Sequence, residues 1–248
     1  MKKAAIVIIL GGLVLSLAFI SCKKDKDTTP NNNVTTQSVN LTTSLSGLGS
    51  HGGQPSGTPY HLPSNIKVIG SMVGGYPGSK THFNYPKSLE NIQQYLASVP
   101  KSEYTEYGYG TYIDVYMKLR NTSNSAYSLI IPAGLIMCDS IPEDSTVTDT
   151  SQSGIIIVPD TIVIPGGDTV GICLKSFCLN LHHSIPSSHN VYLLKVITNN
   201  DQLHSVVTIL QNKKSIAEHI YEIQGILWEI TDGDGLTQED IDLMNSWH

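Results

Sequence analysis

The sequence predicts a mainly β body, an antiparallel sandwich of two sheets, with a helical appendage at its C-terminal end. Three observations carry this expectation. Short β-branched runs separated by turn clusters recur from Ile66 to Ile197. One of them, Thr111 to Leu119, alternates apolar and polar residues with a period of two. The last 48 residues then switch to helical spacing.

The first segment is an export signal. Met1-Lys2-Lys3 gives a positive start, and Ala4 to Ile20 is apolar except at Gly11, Gly12 and Ser16. A small Ser21 precedes Cys22, and charged residues follow at once. The run is too short and glycine-broken for a span that needs about 20 apolar residues. The Phe19-Ile20-Ser21-Cys22 stretch resembles the lipobox of bacterial lipoproteins, with Phe19 where that family prefers Leu. The resemblance implies removal of residues 1–21 and a diacylglycerol on the Cys22 thiol, so that the partner of the chain is a membrane. Lys23 stands where Asp would signal inner-membrane retention, which points to the outer membrane of the cell envelope, periplasmic or surface-facing. The Lys-Lys-Asp-Lys-Asp run from 23 to 27 is similar to signals that send some lipoproteins to the cell surface.

Removing 1–21 takes Lys2 and Lys3 and no acid, leaving 13 basic against 21 acidic residues, a net charge of −8. No basic cluster follows Lys26. A nucleic-acid binder needs such a cluster, so that class is excluded. Residues 22–58, rich in Thr, Asn, Ser and Gly, read as a flexible tether that cannot bury enough surface to order itself.

The body then follows from 59 to 200. Ile66 to Ile69 opens it, and Ser88 to Ala97 has Leu89, Ile92 and Leu96 at the spacing of a short helix. In the alternating strand, Ile113, Val115, Met117 and Leu119 face one way, and Tyr112, Asp114, Tyr116 and Lys118 the other. The cluster from Arg120 to Asn124 is a turn, and Tyr127 to Ile131 is the returning strand, stopped by Pro132-Ala133-Gly134. Further strands are expected at Ile155 to Val158, Thr161 to Ile164, Thr169 to Leu174 and Asn190 to Ile197. Their spacing suggests an immunoglobulin-like sandwich in architecture, without the Cys…Trp…Cys hallmark of that family.

Residues 201–248 form the appendage, packed on the sandwich. Leu203, Val206, Val207 and Leu210 make one apolar stripe, and Ile216, Ile220, Ile223 and Leu227 another. Ser215 with Glu218, and Thr237 with Asp240, are spaced as capping boxes; Ile241, Met244 and Trp247 continue the last segment.

Four groups could carry chemistry. Cys173, Cys178, His182 and His183, with His189 close by, mix thiols and imidazoles at a spacing that matches no common zinc module. In an exported chain a disulfide within Cys138, Cys173 and Cys178 is the leading reading, ahead of buried free thiols and of metal. Asp232-Gly233-Asp234-Gly235 looks like part of a calcium loop, but Ile230 and Ile241 occupy its first and twelfth positions, so a helix-ending turn is expected instead. Tyr104, Tyr107 and Tyr109, with Tyr112 and Tyr116, could contact a glycan or a cell-surface protein, or merely cover neighbouring strands. Finally, Gln224-Gly225-Ile226-Leu227-Trp228 resembles the Gln-x-Ala-Ile-Trp motif of thioester domains in bacterial surface adhesins. The resemblance implies a bond between Gln224 and a body cysteine, Cys178 being the nearest approach, although Ile226 replaces the small residue.

No nucleophile elbow, phosphate loop or His-Glu-x-x-His helix occurs. The sequence therefore points to a non-enzymatic binding or structural lipoprotein without cofactor or metal. A thioester adhesin is the alternative.

Overall fold

The computed structural model describes residues 45–75, 104–140 and 151–248. The expected signal, most of the tether and the helix expected over 88–97 lie outside them.

Among the described residues, ten strands precede three helices. The strands are β1 (Gly57–Pro59), β2 (Ile66–Gly75), β3 (Tyr104–Gly108), β4 (Ile113–Asn121), β5 (Tyr127–Ile131), β6 (Leu135–Asp139), β7 (Gly154–Ile155), β8 (Asp160–Ile164), β9 (Thr169–Cys178) and β10 (Val191–Thr198). The helices are α1 (Asp201–Leu210), α2 (Ile220–Asp232) and α3 (Gln238–Ser246). A single 3₁₀ turn, Ile216–Glu218, lies between α1 and α2.

The body is a closed barrel, which overturns the immunoglobulin-like sandwich. β2, β4, β9, β7, β6 and β10 pair in that order, every pair antiparallel, and β10 returns to β2. A sandwich would keep β10 with one sheet only. Here it bonds to β6 from Tyr192 to Ile197 and to β2 at Val191 and Tyr192. Register breaks supply the curvature that closure demands, one in β10 between Leu194 and Val196, the other in β2 between Ile69 and Val73. The β2 break contains Gly70 at φ 77°, a backbone state that favours glycine.

Alternation divides the barrel residues between two cores. Ile113, Val115, Met117 and Leu119 of β4 join Ile172, Leu174 and Cys178 of β9, Leu135 and Met137 of β6, and Tyr192 of β10. The antiparallel ribbon of β5 and β8 adds Leu129, Ile131, Ile162 and Ile164 to this cluster. Residues of opposite parity, Ile136 and Cys138 of β6 and Phe177 of β9, pack instead with the helices. Against them lie Leu203, Val206 and Leu210 of α1, Ile223, Leu227 and Ile230 of α2, and Met244 of α3.

The helices match their sequence signals with one exception. Asn200 caps α1 by accepting from the amides of Gln202 and Leu203. Thr237 and Asp240 form the expected capping box at α3. Ser215 instead precedes the 3₁₀ turn without a side-chain cap, and its hydroxyl donates to the His248 carbonyl at 2.9 Å. The half-buried reading of β4 is also corrected, because Asp114 and Lys118 on its second face are 3% and 8% exposed.

The tether boundary at 58 moves as well. Leu48 is buried in the helix-side core, the Gly49 amide donates to the Leu179 carbonyl at 2.8 Å, and β1 pairs with β10. Residues 45–59 therefore form an arm of the body.

Candidate functional site

The arm forms one wall of a cavity of about 270 Å³, just below the roughly 300–1,000 Å³ range of ordinary ligand sites. Its wall comes from residues 47 and 50–55; across from it lie Cys138 and Asp139 of β6, Ser151 and Ser153 ahead of β7, and Asn180 and His183 after β9.

Local geometry fixes the arm. Gly47 N–H donates to the Gly52 carbonyl, and the Leu48 carbonyl accepts both the His51 amide and His51 Nδ1 at 3.0 and 3.1 Å. Gly49 sits at φ 58°, and a Cβ there would fall on the Thr231 carbonyl. Asn180, almost wholly buried, staples the arm in place. Its Nδ2 donates to the Gly49 carbonyl and its Oδ1 accepts the Ser153 amide, both at 2.9 Å.

The opposite wall is a hydrogen-bonded network around the end of β6. Asp139 Oδ2 accepts from Asn190 Nδ2 at 2.7 Å, and the backbone amides of Ser151 and Ser140 also reach its carboxylate. Burial nonetheless pushes the Asp139 carboxyl above the usual range, because those donors only partly offset lost hydration. Tyr192 donates to the Gln152 carbonyl at 2.6 Å, and its hydroxyl lies 2.6 Å from Ser151 Oγ. Burial raises the Cys138 thiol to about 11, opposed by its hydrogen bond with Ser153 and by the charge of Lys195.

The expected disulfide is absent. Cys138, Cys173 and Cys178 are all buried free thiols. Cys173 and Cys178 are five residues apart on β9, an odd spacing that puts them on opposite faces. Cys173 lies opposite Tyr116 in the β4–β9 register and is hydrogen-bonded to it, whereas Cys178 belongs to the barrel core. Strand β7 separates Cys138 on β6 from Cys178 on β9. Among the described residues no group of three or more His, Cys, Asp or Glu could hold a metal ion. The Asp232 segment is a helix-ending turn: Gly233 and Gly235 amides donate to the Glu229 carbonyl, and Asp232 Oδ2 accepts from Leu181 N–H.

The structure does bring Gln224 to Cys178, through the backbone. Gln224 Oε1 accepts the Cys178 amide at 2.9 Å and its Nε2 donates to the Cys178 carbonyl at 2.8 Å. The side-chain amide thus pairs with β9 as another strand would. The Cys178 thiol is raised to about 11 by burial, with the Asn180 amide and Trp228 opposing.

The tyrosines divide among different neighbours. Tyr104 meets Tyr116 edge-on at 5.3 Å, Tyr107 packs against the barrel core and Tyr109 against the helix-side core. Tyr112 packs on Trp228, also at 5.3 Å.

Sequence reasoning missed His51, Asp139, Ser151, Ser153 and Asn180 as cavity residues. The signal for His51 is the glycine density around it, with Gly47, Gly49, Gly52 and Gly53 serving turns and a close approach rather than a tether. Nothing local marks the others, which meet through the pairing of β6 with β7 and of β7 with β9. Comparison with protein families, curated proteins and solved structures finds no match to this chain.

Proposed function

We propose that this protein is a lipid-anchored binding lipoprotein of the outer membrane, whose body acts by recognition rather than catalysis. The observation that carries the reading is Ser21-Cys22 at the end of the apolar run. The polar stretch from 23 to 44 reads as the tether. A glycan or a cell-surface protein is the partner class. Replacing Cys22 by Ser in the full chain tests the anchor. Lipid labelling should vanish and the protein should leave the membrane fraction; retention of Cys22→Ser as an integral membrane protein would refute the reading.

The alternative, a covalent adhesin, has one observation in its favour: Gln224 lies against Cys178, 46 positions away in sequence. Against it, both polar ends of the Gln224 amide are engaged by backbone, and a thioester would expel Nε2 as ammonia and take that donor from the Cys178 carbonyl.

A further inference from the structure

We propose that the cavity behind the arm binds a small free primary amine, with the Asp139 carboxylate as its counter-charge. The inference rests on the binding reading and adds to it a small ligand, separate from the glycan or surface-protein partner.

The direction of the hydrogen bonds supports a cation. The Tyr192 hydroxyl has one proton, and the Gln152 carbonyl can only accept, so that proton is spent there. The short contact between Tyr192 and Ser151 must then use the Ser151 proton. Ser151 Oγ is left with lone pairs only. His51 follows the same logic. The Leu48 carbonyl requires a proton on Nδ1, so Nε2 of the neutral ring is an acceptor. Asp139, when ionised, accepts only. Asn180 is satisfied at both ends of its amide by Ser153 and Gly49. Between the two wall serines, the buried Gln152 also has an Oε1 with no donor.

Charge agrees with this pattern. No Lys or Arg lines the cavity, the Lys195 charge being felt at Cys138 without Lys195 being a wall residue, and Asp139 has no ion pair among the described residues. Burial raises its carboxyl pKa even though Asn190 and the Ser151 and Ser140 amides donate to it. A half-buried carboxylate is stabilised by a cation that also offers hydrogen bonds. An ammonium group carries three N–H donors and one positive charge, matching acceptors of the type found on Asp139, Ser151 and His51. The volume holds about nine waters' worth of space at about 30 Å³ each, enough for a small amine and too little for a folded partner.

The test uses the full chain in detergent micelles with isotope-labelled backbone amides. Ethanolamine, ethylene glycol and glycolate are titrated separately; they are close in size and differ in charge. Ethanolamine should shift the amides of Asp139, Ser151, Ser153 and Asn180 saturably in about the millimolar range, the scale for so small a ligand. The neutral and anionic probes should bind at least about tenfold more weakly. Asp139→Asn should weaken ethanolamine by about tenfold or more, and if that variant misfolds the matched probes on the unaltered chain still separate charge from size. Equal binding of ethylene glycol would overturn the amine assignment while leaving a ligand site. Failure of all three probes to move these amides would overturn the cavity as a ligand site, and membrane release of Cys22→Ser would still stand as the separate test of the anchor.

Discussion

Gln224 shows how one residue type can serve two readings. Its spacing from Trp228 suggests covalent chemistry, yet in the structure it completes the hydrogen bonding of a strand end. Gln224→Ala leaves a buried N–H and a buried carbonyl of Cys178 without that partner. It should lower unfolding free energy by about 2–4 kcal/mol, read from urea titration. Intact mass of the unaltered body should show no loss of ammonia and no change with methylamine. A methylamine-reversible loss that disappears in Gln224→Ala would promote the adhesin reading. The thiols carry a second prediction. Cys138 and Cys178 are held at about 11, above an ordinary thiol, so the folded state favours their protonated form. Their stabilising effect is complete below the unfolded pKa near 9 and disappears as pH rises through about 11. The loss should amount to about 2–3 kcal/mol per thiol, and Cys138→Ala should flatten the alkaline slope of the urea midpoint. An unchanged slope in that variant would contradict the buried-thiol assignment.

Among the elements, those with a strong local period were legible. β4 covers the alternating run from Ile113 onward, β5 matches Tyr127 to Ile131, and the stripe from Leu203 to Leu210 lies on α1. The Thr237 signal was local too, and Thr237→Ala should cost about 1 kcal/mol in thermal or urea unfolding. The arm was not legible. Its composition is that of a linker, and it holds to the body through Leu48, the Gly49 backbone and the distant Asn180. Gly49→Ala places a Cβ against the Thr231 carbonyl in a left-handed backbone, so the arm should lift. Because Cys138 lies under it, alkylation of Cys138 should accelerate by about tenfold or more, with Cys173 as the internal reference. Equal labelling of unaltered and Gly49→Ala protein would show that the arm does not cover the cavity.

At the scale of the whole molecule, closure of the barrel was the largest feature missing from the sequence reading. Strand spacing and alternation are the same in a sandwich and in a small barrel. What separates them is the pairing of Ile136 with Val196 and of Met72 with Tyr192, together with the register breaks that bend β2 and β10. The candidate cavity depends instead on neighbouring strands, since β6 pairs with β7, β7 pairs with β9, and the arm is bonded to Leu179 and Asn180 just beyond β9. The proposed function depends on a different part of the chain, the lipid anchor proposed at Cys22. Its most direct test is mass spectrometry of the N-terminal peptide of the native, membrane-extracted protein. A lipid-anchored chain should yield a peptide that begins at Cys22 and carries a diacylglycerol on the thiol. A peptide retaining residues 1–21, or an unmodified Cys22, would contradict the anchor.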